Sequence, residues 1–287
     1  MKYSRPESLE AAAQALYQEP GLTRILAGGT DVLVQLKSEV VEPDLLVDLK
    51  HLAGMREVVE EAGGYRVGAG VPGAVMGEHE GIKSLWPGVV EAVELIGSTQ
   101  VQGRATMVGN LCNGSPAADS VPAMIAANAT ARVQGPDGAR EVPVADIPTG
   151  PGKTSLSKGE FVSSIFLPSR PERASDAYLR FIPRTEMDIA VSSAAVSLVL
   201  DAEGRCTMAR VAVGAVAPTV LLVEDAGAAL VGSKLDASAL AAMTAAVEAA
   251  CSPINDKRGT IEFRTKTAGV LARRAALIAY ARAGDRT

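Results

Sequence analysis

The stretch from Thr23 to Asp31 constrains this chain more than any other. Thr23 to Leu26 reads as a short buried strand that ends abruptly at Gly28-Gly29, and Asp31 to Lys37 then carries a helical pattern. A strand that turns directly into a helix gathers the unpaired first-turn N–H groups of that helix at one point. The helix dipole favours negative charge there, glycine lets a ligand approach the backbone, and the Thr30 hydroxyl adds a donor. In outline this is a phosphate-binding turn, although a Gly-Gly pair between strand and helix also fits an ordinary turn. The GxGxxG spacing and the P-loop lysine are both missing, so neither a Rossmann dehydrogenase nor a P-loop ATPase is expected.

The pattern around this turn is mixed. Ser8 is placed to cap the helical run Leu9 to Leu16, and Leu45 to Leu49 reads as a second buried strand. Two short strands are expected between Glu57 and Gly70, with Gly63-Gly64 forming the hairpin turn. Trp86 to Ile96 has helical spacing, Thr130 to Gln134 and Glu160 to Leu167 read as strands, and Gly97 to Pro122 is expected to form a long irregular centre. Pro168 to Glu172 holds two prolines and little apolar material, which marks a boundary. Beyond it, Ala194 to Leu200 and Ala209 to Val216 flank Asp201-Ala202-Glu203-Gly204 as an antiparallel hairpin, and the Ala-rich stretches Val223 to Leu230, Ala237 to Ala250 and Thr260 to Ala283 read as helices. The expected division is 1–56, 57–172 and 173–287, an α+β chain ending in a small antiparallel sheet packed with helices. At 287 residues and 47% hydrophobic content, the chain can give each unit a core.

The segment Gly103 to Ser120 is dense in Gly, Asn, Ser, Thr and Asp. A loop of more than about 12 residues in a compact domain is usually functional. Its side chains offer hydroxyl and amide donors suited to phosphate, and Asp119 can accept from a ribose hydroxyl. The same composition also suits a solvated loop with Asx turns. Cys112, Cys206 and Cys251 lie far apart without CxxC or CxxxxC spacing, so this chain's thiolates alone do not form an iron-sulfur or structural zinc site. His51 and His79 are isolated and take no catalytic role. Lys and Arg are scattered and the net charge is -5, which argues against nucleic acid as a partner. The longest apolar runs, such as Val191 to Leu200, fall well short of the roughly 20 residues that span a bilayer. Met1 to Glu10 shows no basic segment followed by an apolar one, so a cytoplasmic location is expected.

Read together, Ala27-Gly28-Gly29-Thr30-Asp31 with Leu36-Lys37, the pentad Thr106-Met107-Val108-Gly109-Asn110, and Ala117-Ala118-Asp119-Ser120-Val121-Pro122 resemble the FAD-binding medium subunit of the molybdenum hydroxylases, the xanthine dehydrogenase and carbon monoxide dehydrogenase family. The resemblance continues through Ile147 to Gly150, Gly159-Glu160, Arg184 to Ala190, and Asp256-Lys257-Arg258-Gly259 with Glu262-Phe263-Arg264, and so covers almost the whole chain. It implies an FAD-binding domain of the vanillyl-alcohol-oxidase-like (PCMH) type in two α/β subdomains, followed by a C-terminal domain like that of the CO dehydrogenase flavoproteins. It also implies diphosphate contacts from Ala27, Gly28, Gly29, Thr30 and Asp31, and from Thr106, Gly109 and Asn110. Ser115 and Asp119 would face the ribityl, ribose or phosphate groups, and Ile96 and Val162 would lie near the flavin rings. Arg180 would sit near the far end of the isoalloxazine, where a cation stabilises negative charge on reduced flavin.

Two residues depart from the family pattern. Val108 stands where a glycine is frequent, and a β-branched residue resists positive φ, so a local difference in the turn is expected. Thr30-Asp31 follows the first glycine pair where the carbon monoxide branch often has His-Ser. Related oxidases link FAD to a His placed after a Gly-Gly pair. No histidine lies near Gly28 or Gly109, so a noncovalent FAD is expected.

The resemblance implies partners as well. A large molybdopterin subunit would hydroxylate the substrate, and a small subunit with two iron-sulfur clusters would pass electrons to FAD, in a dimer of heterotrimers. This chain would then reduce an external acceptor at an edge near the charged run Arg184-Thr185-Glu186-Met187-Asp188. The alternative is a stand-alone NAD(P)H-dependent flavoreductase resembling the cell-wall-precursor reductase. It needs a general acid in the third region, which offers mostly Ala, Val and Leu. A scaffold that has lost flavin is disfavoured by the two intact turns.

Overall fold

A computed structural model describes residues 1–286. The first unit runs β1 (Lys2–Ser4), α1 (Leu9–Gln18), β2 (Thr23–Leu26), α2 (Val32–Lys37) and β3 (Leu45–Asp48). The Ser8 hydroxyl accepts the Ala11 N–H at 3.1 Å and caps α1 as expected. β3 lies between β1 and β2 and is parallel to both. A central parallel strand is covered on both faces, and Leu45, Leu46, Val47 and Asp48 are accordingly all buried.

The second unit opens with β4 (Val58–Glu61) and β5 (Gly64–Gly68), followed by α3 (Gly73–Glu78), α4 (Glu80–Leu85), α5 (Pro87–Glu94), α6 (Thr99–Gln102), α7 (Met107–Cys112) and α8 (Ser120–Ala126). It closes with β6 (Thr130–Gly135), β7 (Gly138–Pro143), β8 (Pro148–Gly150), β9 (Lys153–Thr154) and β10 (Phe161–Leu167). Its main sheet is antiparallel in the order β4-β5-β10-β6-β7, and β8 pairs with β9. The β4–β5 turn is displaced by one residue from the expected one. Positive φ falls on Ala62 (51°) and Gly63 (72°), while Gly64 belongs to β5, where a Cβ would stand 2.2 Å from the Leu167 carbonyl oxygen. One glycine therefore serves the turn and the other a close strand approach.

The expected irregular centre between Gly97 and Pro122 holds instead the short helices α6 and α7 and the start of α8, with turns between them. Thr106 Oγ1 accepts the Gly109 N–H at 2.9 Å, so the pentad Thr106 to Asn110 is a capped first turn of helix. Val108 lies inside α7, buried and in right-handed helical backbone, and its branched side chain meets no positive-φ requirement. Helices of four to seven residues span at most two turns, too few for a 3.6-residue period to register in sequence.

The third unit is an antiparallel sheet of β11 (Ala174–Phe181), β12 (Ser192–Leu200), β13 (Cys206–Gly214) and β14 (Leu221–Leu222), with α9 (Glu224–Ala228), α10 (Ala237–Ala250) and α11 (Ile261–Gly284). β12 is covered on both faces. Ala194, Val196 and Leu198 pack into the core beneath α10 and α11, whereas Ala195, with Ala212 and Tyr178, joins the core of the preceding units. β11 escapes a reading by hydrophobic pattern because one face carries Asp176, Tyr178 and Arg180 at alternate positions. These three reach toward the second unit. Asp176 accepts the Val89 N–H at the start of α5 at 3.1 Å and pairs with buried Arg170 at 3.0 Å, and Tyr178 and Arg180 both bond Asp119.

Candidate functional site

The two glycine-bearing turns meet. A Cβ on Gly28 would stand 2.1 Å from the Arg104 carbonyl oxygen. The next carbonyl, of Ala105, accepts the Gly73 N–H at 2.8 Å, and Thr106 bridges to Pro72. The segment leading into α7 is thus held between the β2–α2 turn and the start of α3. Gly28 permits that approach, and Gly29 has positive φ (84°) where the chain swings into α2.

Together these elements wall a cleft of about 620 Å³. Ala27, Gly28, Gly29, Thr30 and Asp31 line one side, and Thr106, Gly109 and Asn110 another. Ile96 and Val162 line it too, beside Leu49, Ala69 and Phe161, which gives an apolar wall. Ala69 is tied to β10 through its N–H to the Ser163 carbonyl at 2.9 Å, next to Val162. Residues 75 or more apart in sequence therefore share one hollow, polar on the sides built by the turns and apolar where β10 passes. A second hollow of about 430 Å³ between α5 and α11, beside Glu91 and Arg282, contains none of the expected residues.

Three expected residues stand outside the lining. Ser115 Oγ accepts the Ala117 N–H at 3.2 Å. Asp119 and Arg180 form a buried pair at 2.6 Å, and Asp119 also accepts from the Tyr178 hydroxyl at 2.8 Å. Burial pushes the Asp119 carboxyl up to about 6 against the opposing pull of Arg180 and Tyr178, and it pushes the Tyr178 hydroxyl well above its usual range. The trio lies one residue from the cleft wall, because Ser120 binds the cleft-lining Asn110.

The cleft recruits residues that the sequence does not single out. Gln35 of α2 with Val40 and Val41 beyond it closes one end, and Gly152 and Thr154 of the β8–β9 hairpin with Lys158 also line it. No periodic signal marks these positions, although Gly152 (φ 68°) and Gly159 (φ 88°) sit where only glycine is comfortable. Burial raises the Asp31 carboxyl in the cleft, and it pushes the Cys112 thiol there up to about 12, which keeps that sulfur protonated and unreactive. Neither histidine reaches the site. His51 Nε2 lies 2.8 Å from the Pro6 carbonyl oxygen, and His79 Nδ1 accepts the Ile82 N–H at the start of α4.

Known proteins match this chain over almost its whole length. Residues 1–170 match the family model described as the FAD binding domain in molybdopterin dehydrogenase, and residues 177–279 match the CO dehydrogenase flavoprotein C-terminal domain. The carbon monoxide dehydrogenase medium chain of Afipia carboxidovorans is 34% identical over 281 residues, covering 98% of this chain and 97% of that one. The xanthine dehydrogenase FAD-binding subunit of Escherichia coli O157:H7 is 30% identical over 286 residues, covering 99% and 97%. Among solved structures, a chain of the cyanide-inactivated Cu,Mo-CO dehydrogenase superposes with a TM-score of 0.93 at 34% identity, covering 98% of each chain. A chain of quinoline 2-oxidoreductase from Pseudomonas putida 86 superposes with a TM-score of 0.89 at 27% identity, covering 99% of this chain and 98% of that one.

Proposed function

Because the chain belongs to the family of FAD-binding subunits of the molybdopterin dehydrogenases, we propose that it binds FAD without a covalent bond in the 620 Å³ cleft and serves as the flavoprotein subunit of a molybdenum hydroxylase complex. One observation carries the reading: Gly28 to Asp31 and Thr106 to Asn110 converge on a single hollow. The residues fit the cofactor. The glycine turn, where the backbone can approach a ligand closely, and the Thr30 hydroxyl suit a diphosphate, and the apolar wall around Ile96, Ala69 and Val162 suits the rings. The protonated Cys112 thiol and the remote histidines support a dissociable flavin.

Bound FAD supplies the step between two-electron and one-electron chemistry, and the protein binds, orients and electrostatically tunes it. Iron-sulfur clusters on a small partner subunit would deliver the electrons, and substrate would be hydroxylated at the molybdopterin of a large one. The full-length likeness to subunits of such complexes favours this over a stand-alone reductase. We place the assembly as a dimer of heterotrimers in the cytoplasm, with units at 1–56, 57–172 and 173–287. No helix among the described residues is long and apolar enough to cross a membrane.

Diphosphate contacts are assigned to Ala27 through Asp31 and to Thr106, Gly109 and Asn110, and the ring environment to Ile96 and Val162. Ser115, Asp119 and Arg180 act from just outside the lining. Reoxidation is assigned to the edge near residues 180–188, where the Met187 N–H meets the Gly97 carbonyl beside Ile96. Purification of the tagged chain from its native host tests the assignment: FAD, molybdenum and iron should copurify in fixed ratio with two further polypeptides. Recovery of the chain alone, with neither metal, would contradict it.

A further inference from the structure

Asn110 lines the cleft, but a residue outside the cleft settles its orientation. Its Oδ1 accepts both the Ser120 N–H at 3.0 Å and the Ser120 Oγ–H at 2.7 Å. A backbone N–H can only donate, so the oxygen of the Asn110 amide must face Ser120 and Nδ2 must face away. Nδ2 has no acceptor among the described residues, and the cleft is the space its residue lines. Ser120 is fully buried and fastened from behind, since the preceding Asp119 is gripped by Tyr178 and Arg180 of β11.

We propose that Ser120 is a positioning residue for the cofactor: it clamps Asn110 so that the two N–H donors of Nδ2 are presented to the FAD diphosphate. The inference rests on the FAD reading of the cleft. An amide held at one point can rotate and offer Oδ1, a lone-pair oxygen, to an anion, which repels it. Two donors from one buried residue remove that freedom. Through Asp119 the clamp also ties diphosphate recognition to the third unit, more than 50 residues further along the chain.

Titration of the full chain with FAD, ADP and riboflavin tests this, because ADP carries the diphosphate without the rings and riboflavin the rings without phosphate. Ser120→Ala should weaken FAD and ADP roughly fivefold, the usual weight of one hydrogen bond, and leave riboflavin unchanged. Unchanged FAD and ADP affinities in Ser120→Ala would overturn the proposal, as would an equal loss for riboflavin. Should that variant fail to fold, Asn110→Asp carries the same test. It keeps an acceptor for Ser120 but turns an oxygen toward the diphosphate, so FAD and ADP should weaken at least tenfold with riboflavin unchanged, and wild-type affinities would overturn the proposal. A wild-type chain that binds no FAD would remove the reading of the cleft, and this inference with it. Wild-type binding of FAD with unaltered variants removes the inference alone.

Discussion

Asp119 sits where burial and ion pairing oppose each other, and burial prevails, raising its carboxyl to about 6. An unfolded Asp titrates near 4. Between about pH 4 and pH 6 the folded state therefore binds more protons than the unfolded one, so stability from this group is fully present at low pH and is lost as pH rises through about 6. The shift corresponds to at most about 3 kcal/mol. Relative to Asp119→Asn, whose side chain does not titrate, the wild-type chain should lose stability in urea unfolding as pH rises from 4 to 7, and a pH-independent difference would contradict this. The residue type and its role as an acceptor are legible in the sequence. Its partners are not, because Tyr178 and Arg180 stand 59 and 61 residues away on a strand that no hydrophobic alternation announces. Ser115 shows the same limit: composition names a hydroxyl, and the fold shows what that hydroxyl already binds.

Among the elements, the β2–α2 turn is the most legible, since a strand that stops at two glycines leaves few other conformations. Its contact with the approach to α7 is a product of tertiary packing. Gly28→Ala would drive a methyl to within 2.1 Å of the Arg104 carbonyl oxygen, a backbone atom that cannot rotate away. The turns must then part, at a cost of about 1–3 kcal/mol, and FAD affinity should fall at least tenfold because both turns line the cleft. Thermal unfolding and FAD titration check this, and an unchanged melting temperature with unchanged affinity would contradict it. α7 was hidden for a different reason. Thr, Gly and Asn read as loop formers in composition, yet Thr106 is a cap and Gly109 and Asn110 are helical once it is in place. The family resemblance singled out the pentad, and the fold gives it the secondary structure of a capped helical turn beside the cleft.

For the whole molecule, the proline-rich break at Pro168 to Glu172 is visible in sequence and falls beside the junction of the two matched family domains. What the sequence conceals is how completely the units are joined. The sheet of the third unit lends Tyr178, Ala195 and Ala212 to the core of the others, and the polar face of β11 inserts Asp176, Tyr178 and Arg180 between α5 and α8. A cleft braced in this way is preorganised, so the FAD affinity proposed for it should depend on the third unit as well as the first two. The cleft is proposed to hold one dissociable FAD. Titration of the purified full-length chain with FAD, followed by denaturation and ultrafiltration, measures that directly. The predicted result is one FAD per chain before denaturation and all of the flavin in the filtrate afterwards; no saturable binding, or flavin retained on the unfolded chain, would contradict it.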